Sequence, residues 1–240
     1  MKKQIKQFYA KVLISLAIGL ITTTTYGQAY NTYEQASLTD FLNATHSGAL
    51  RRSILSENDI KGSPYLNAEF VLGDILTDNK IHYVSVPLRY NIYNDDIEFE
   101  VDKENYLAIS NPESIQKIVI GDQEFIYAIK RNKKGDQFGY YQLLQDGKVR
   151  LLSRHNIVFK EATKTTGYKA AESAKFEKNS NTFYLQKEND EPHEISNKKD
   201  LIAILGPQGE KINLLIKKEK INFRKEEDLI KLLKFINQNP

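Results

Sequence analysis

From Val84 the chain alternates. Val84, Val86, Leu88, Tyr90 and Ile92 fall on one side of an extended segment, and Ser85, Pro87, Arg89, Asn91 and Tyr93 on the other. Side chains in a strand point to opposite faces with period two, so the pattern predicts a half-buried strand. Asn94-Asp95 supplies turn chemistry, because both residues tolerate positive φ. In the return strand Ile97, Phe99 and Val101 share a face, and Glu98, Glu100 and Asp102 are expected to face water. Pro87 has no N–H to give to a ladder, which marks an edge or a bulge. The strand signals continue at 106–109, then at 115–120 and 125–129 across Gly121-Asp122. Residues 138–144 and 148–152 follow across Asp146-Gly147, a signal for a type I′ turn. Residues 132–136 read as an exposed loop, Ile157-Val158-Phe159 as a continuation of the meander, and 161–173 as a long polar loop. Three short strands at 174–178, 182–186 and 193–195 follow, separated by turn-forming residues.

The period then changes. Asn197 or Ser196 is placed to cap a helix that buries Leu201, Ile202 and Leu205, and Gly206-Pro207 stops it. Ile212, Leu215 and Ile216 recur at helical spacing. Glu226, Glu227 and Asp228 suit the positive end of a last helix, whose broad apolar stripe holds Leu229, Ile230, Leu232, Leu233, Phe235 and Ile236, with Leu229, Leu232, Leu233 and Ile236 expected to pack on the β-rich body. Before the strands, Leu38, Phe41 and Leu42 fit one side of a short helix started by Ser37. Many strands followed by helices predict an α+β fold: an antiparallel β-meander, as a sheet, half-barrel or sandwich, with C-terminal helices packed on it. The expected organisation is a signal peptide over 1–27, an N-terminal wrapping segment over 28–61, a β-rich body over 62–196 and a helical segment over 197–240.

The first 27 residues set the expected address. Lys2, Lys3, Lys6 and Lys11 precede an apolar run over 12–21 that is too short to span a bilayer, and Thr25-Tyr26-Gly27 puts small residues before an expected cleavage at Gln28. The expectation is an exported protein, periplasmic or secreted, with no transmembrane segment in the mature chain. The net charge of +3 includes those four lysines, so the mature chain carries about −1. A near-neutral chain gives no electrostatic reason to expect a nucleic-acid partner. The chain has no cysteine, which excludes disulfides and the bacterial lipid anchor.

One stretch carries a resemblance. Lys61-Gly62-Ser63-Pro64-Tyr65-Leu66, then Gly73-Asp74, Val86-Pro87-Leu88-Arg89-Tyr90-Asn91 and Phe99, resembles an uncharacterised family of exported proteins from Bacteroidota. The later strands and Asn197-Lys198-Lys199-Asp200-Leu201 match more loosely. The resemblance implies an address and an architecture, and no mechanism.

Motifs of chemistry are few. His46, His82, His155 and His193 have no partner at metal-ligand spacing. Asp95, Asp96, Glu98, Glu100 and Asp102 invite a calcium reading, but an alternating strand throws its acids out in a row rather than around a point. Ser63 stands in Gly-Ser-Pro, not in a nucleophile elbow. Gly206-Pro207-Gln208-Gly209 has the GxxG spacing of a KH loop, although the strands such a fold needs afterwards are missing and a helix stop explains the residues. Tyr83, Tyr90, Tyr93, Tyr127, Tyr140 and Tyr141 pack a sheet or line a carbohydrate or peptide groove. No catalytic, cofactor-binding or metal-ligating residue is singled out. The reading is an exported, non-enzymatic binding or interaction protein of the cell envelope, with a protein or carbohydrate partner. The alternatives are a periplasmic hydrolase whose carboxylates converge only in space, and a KH-like binder acting through Gly206 and Gly209.

Overall fold

A computed structural model describes residues 33–45, 60–103, 105–132, 135–163, 172–188, 190–206 and 212–238. The expected signal peptide, His46, the 164–171 part of the polar loop and the Pro207–Gly209 part of the GxxG sequence lie outside the described residues. Those residues form thirteen strands: β1 (Glu34–Ala36), β2 (Val71–Thr77), β3 (Ile81–Asn91), β4 (Asp96–Asp102), β5 (Asn105–Ala108), β6 (Ile115–Ile120), β7 (Gln123–Asn132), β8 (Gly135–Gln145), β9 (Val149–Arg154), β10 (Ile157–Lys160), β11 (Lys175–Lys178), β12 (Thr182–Lys187) and β13 (His193–Ile195). Helix α1 (Leu38–Thr45) precedes β2, and α2 (Lys198–Leu205), α3 (Asn213–Lys218) and α4 (Glu226–Gln238) close the chain. None of the described helices is long and apolar enough to cross a membrane.

Eleven strands make one sheet in the order β13-β12-β9-β8-β7-β6-β2-β3-β4-β5, with β1 added to β3 in parallel. Every other pairing in it is antiparallel, and helices pack on it, which makes the fold α+β. Two elements differ from the sequence reading. Strand β10 does not continue the meander but leaves it to pair with β11 in a separate two-stranded sheet. The expected loop at 132–136 is the end of a ladder, since β7 and β8 stay paired as far as Asn132 opposite Gly135.

The sheet is strongly curled. Tyr90 on β3 and Tyr140 on β8 are four ladder steps apart, which would separate them by roughly 19 Å in a flat sheet. Their ring centroids are 5.9 Å apart, and Tyr90 also meets Phe125 of β7 at 5.4 Å. The concave side therefore closes on one apolar core, built on Ile75, Val86, Leu88, Tyr90, Ile97, Phe99, Ile118, Phe125 and Tyr140. Helix α1 contributes Phe41, which meets Tyr83 and Phe99 edge-on. Its start is capped as the sequence predicts: Ser37 Oγ accepts from the Asp40 N–H, and Asp40 Oδ2 accepts from the Ser37 N–H and hydroxyl.

A second core lies under the C-terminal helices. Val149 and Leu151 of β9, Phe183 and Leu185 of β12 and Ile195 pack against Leu201, Leu205, Ile216, Leu229, Leu232, Leu233 and Ile236. Asn197 caps α2 by accepting from the N–H groups of Lys199 and Asp200. At the other end of the layer Asn237 bonds β9 as a strand would: its Oδ1 accepts from the Val149 N–H and its Nδ2 donates to the Val149 carbonyl. Gly147 makes that approach available, since a Cβ there would stand 2.4 Å from the Asn237 amide. Its φ of 151° departs from the type I′ turn expected of Asp146-Gly147. The residues on the opposite face of these strands, Tyr141, Leu152 and Tyr184, are also buried.

The alternation from Val84 to Ile92 is broken once. Ser85 has φ 56°, and the pairing with β2 shifts between Gly73 opposite Val86 and Ile75 opposite Tyr83. This is a β-bulge, and it puts both Tyr83 and Val86 inward. Val84 is thereby displaced from the buried set expected for it. Pro87 lies in the gap on the β3 edge between the β1 pairing at 81–83 and the β4 pairing at 88–91.

Candidate binding cleft

Of the acidic row of β4, Asp102 is exposed as expected and Glu100 is half-buried, but Glu98 does not face water. Glu98 is only 5% exposed. Its Oε2 accepts from Arg89 Nε at 2.7 Å and its Oε1 from Asn91 Nδ2 at 3.1 Å. The Arg89 guanidinium lies over the rings of Tyr65, Phe70 and Tyr106 at 3.9, 4.4 and 4.4 Å, and Nη2 donates to the Tyr65 hydroxyl. The assignment of Glu98 to solvent fails because the segment before β2 folds over that face of the hairpin. Leu66 N–H donates to the Tyr90 carbonyl, and Ile92 N–H to that of Pro64. Burial, and then the Glu98 carboxylate, push the Tyr65 phenol well above its ordinary value. Val101, expected inside, is exposed instead. The 62–65 and 89–91 segments thus form one structural knot: Gly62, Pro64 and Tyr65 against Arg89, Tyr90 and Asn91. Gly62 takes φ 82°, and a Cβ there would meet the Phe176 carbonyl oxygen at 2.5 Å. Phe176 N–H in turn donates to the Lys61 carbonyl, so the knot also ties down β11. Its polar groups satisfy one another, and it is a support rather than a site.

The support holds up one wall of a polar cleft of about 330 Å³. Three segments meet there: the β3–β4 turn with Tyr93 and Asp95, the β9–β10 corner with Arg154, His155 and Asn156, and β12 with Thr182 and Tyr184. By strand parity Arg154 and Tyr184 lie on the face of β9 and β12 turned away from the helices, since Leu151, Phe183 and Leu185 face them. Asp95 takes φ 57°, as a turn aspartate tolerates. Its Oδ2 accepts from Arg154 Nη2 at 2.6 Å, and its Oδ1 from the Tyr90 hydroxyl at 2.6 Å and the Tyr140 N–H at 3.4 Å. Gly139 leaves room for that pair, because a Cβ on it would lie 2.4 Å from Asp95 Oδ2 and 2.7 Å from Arg154 Nη2. Burial, and then the Asp95 carboxylate, hold the Tyr90 phenol far above the ordinary range. Burial lowers the His155 pKa, with Lys178 adding to that and a hydrogen bond to Asn181 opposing it. His155 Nε2 lies 2.9 Å from Gln142 Oε1. Burial therefore favours the neutral form of this histidine, which is a hydrogen-bonded wall of the cleft.

The sequence reading placed Asp95 in an acidic row and did not single out Arg154, Asn156 or Thr182. It had no signal by which to join them, since 59 residues separate Asp95 from its partner Arg154. The remaining histidines are scattered: His82 pairs with Asp74 at 3.1 Å and His193 is exposed. Among the described residues no three His, Cys, Asp or Glu side chains gather as a metal site would require. Gly206 ends α2 with φ 61° and has open space around it. A second hollow, of about 370 Å³, lies between α1 and the β2–β3 turn. Its floor is Phe41, Tyr83, Ile109 and Ile115, residues that also belong to the core, and it gathers no charged pair. The Asp95–Arg154 cleft is the more specific of the two.

No protein-family model matches the chain, and neither a curated protein nor a solved structure matches it significantly.

Proposed function

We propose that the protein is exported and acts in the cell envelope as a binding or interaction module, with its ligand held in the Asp95–Arg154 cleft. Export is supported by the four lysines, the short apolar run and the small residues of the first 27 positions. The cleft is supported by one observation above the others. Polar groups from three distant segments converge on one hollow whose size is at the low end for small-ligand sites, roughly 300–1,000 Å³. Among the described residues Asp95 is the one carboxylate lining it, and Arg154 holds that carboxylate. A glycoside hydrolase needs two carboxyl groups facing one bond, so the cleft favours binding over hydrolysis. Two measurements test the proposal. Fractionation with N-terminal sequencing should find a chain that begins at Gln28 outside the cytoplasm; an intact Met1 form in the cytoplasm would overturn the address. NMR titration with short peptides and saccharides should shift the resonances of Asp95, Arg154 and Thr182 with at least one ligand class. Shifts confined to other surfaces would refute the cleft.

A further inference from the structure

We infer that the cleft takes an extended peptide, which adds as a strand to the free edge of β10 and carries a neutral polar side chain to Arg154 and Asp95. The inference rests on the cleft being the binding site and names what binds there. Strand β10 starts at the cleft, since Asn156 and Ile157 line it. Among the described residues β10 pairs with β11 alone. The bonds made by β11 decide which groups of β10 are left over. Lys61 N–H donates to the Ala174 carbonyl and Phe176 N–H to the Lys61 carbonyl, so Ala174 and Phe176 turn these groups away from β10. Lys175 and Glu177 therefore bond β10, opposite Lys160 and Val158, and Asn179 N–H continues the ladder to the Asn156 carbonyl. That alternation points the N–H and C=O groups of Ile157 and Phe159 to the open side, at a repeat of about 6.8 Å.

A row of this kind fits one chemistry. Donors and acceptors that repeat at strand spacing are matched by another extended backbone, and the groups beside the row select its side chains. The edge is also undefended and rigid. Proteins blunt free edges with Pro, bulges or charged side chains. Residues 157–159 hold none of these, and Glu177 holds the Lys160 ammonium at 2.8 Å. The rings of Phe159, Phe176 and Tyr93 pack at 5.2, 5.3 and 6.4 Å and fix the hairpin to the β3–β4 turn. The cleft supplies the selectivity. Its lining is almost wholly polar. Arg154 and Asp95 neutralise each other at 2.6 Å, so a charged side chain drawn to one of them would also meet the other. A guanidinium has five N–H donors, and among the described residues Arg154 gives one hydrogen bond, to Asp95. Asn, Gln, Ser and Thr side chains both give and accept, and so suit a donor and an acceptor side by side.

The test uses the purified full chain and a library of random heptapeptides selected on it, with cello- and malto-oligosaccharides as the rival class. The selected peptides should share Asn, Gln, Ser or Thr at one position. Binding should slow amide hydrogen exchange at Ile157 and Phe159 by about tenfold or more and shift the resonances of Asp95, Arg154 and Thr182. Methylating the peptide nitrogens that face β10 should weaken binding about tenfold or more, the effect of two lost hydrogen bonds, while methylating the alternate nitrogens should change it less than about twofold. Phe159→Pro removes one edge donor and no bond to β11, and should weaken binding severalfold; the methylated peptides serve if that variant does not fold. Peptides that protect neither amide, or that bind equally with either set of methyl groups, overturn the inference. If a peptide or saccharide shifts Asp95, Arg154 and Thr182 and leaves β10 unprotected, the added strand falls and the binding site stands. Protection of β10 with those resonances unmoved keeps the strand and removes the cleft. Silence at both removes both.

Discussion

A carboxylate inside a protein must be paired or it destabilises the fold, and Glu98 meets that condition in full. Both of its oxygens accept hydrogen bonds, one from a guanidinium that is itself sandwiched by aromatic rings. Removing one member of a buried pair leaves the other charge uncompensated, at a cost of about 3–5 kcal/mol. Glu98→Gln keeps the shape and removes the charge, so it should cost on the order of 3 kcal/mol. Leu88→Ala, at a fully buried site, should cost about 2–5 kcal/mol. The two substitutions should therefore be comparable in chemical denaturation, whereas periodicity alone puts Glu98→Gln within about 0.5 kcal/mol, as at an ordinary surface site. A neutral Glu98→Gln would show that the Arg89 pair contributes nothing to the fold.

Elements were legible wherever one face of a strand or helix is wet. The alternation of β3 and β4 located their buried side, and Val86, Leu88, Tyr90, Ile97 and Phe99 are all inside. The same alternation misplaced Glu98, because period two identifies two faces and is silent about a segment that covers the second one. It also missed the bulge at Ser85, whose cause lies in pairing with β2 and not in the residue itself. Strand β2 and the parallel β1 carry no legible pattern. Gly73 and Asp74 interrupt the apolar pattern of the first, and a three-residue strand such as β1 is too short to carry a period. The cleft was illegible for a related reason: its partners are joined by curl and corner, which no local spacing encodes. The last helix is the opposite case. Of its broad apolar stripe, Ile230 is half-buried and Phe235 is exposed, while Leu229, Leu232, Leu233 and Ile236 are buried against β9 and its neighbours. Each such side chain contributes roughly 1.5–3 kcal/mol, and Asn237 adds two hydrogen bonds to Val149. Ending the chain after Lys225 should then lower stability by several kcal/mol. An unchanged thermal midpoint would mean that α4 is an appendage.

The β-rich body has one eleven-stranded sheet with two large cores on it, beside the small β10–β11 sheet and the buried group of Tyr141, Leu152 and Tyr184. Among the described residues the concave core and the core under the helices share no buried side chain, which would ordinarily favour separate melting. Their connection is the ladder. β8 lends Tyr140 to the first core and pairs with β9, which lends Leu151 to the second. Between β7 and β8 nine residue pairs face one another without a break. The Asp95–Arg154 pair adds a tie from the β3–β4 turn to the end of β9, across the curl. If the helical layer opened, β9 and β12 would lose one covered face, and Arg154 would lose the strand that aims it at Asp95. The two cores should therefore unfold together, although the chain exceeds the length of about 150 residues below which two-state unfolding is the rule. Leu88→Ala probes the first core and Leu232→Ala the second. In calorimetry each should move one and the same transition to lower temperature, with calorimetric and van't Hoff enthalpies in agreement. Two resolved transitions, each moved by only one of the substitutions, would show that the sheet does not transmit the loss of one core to the other, and that the cleft between them is held by its own side chains alone.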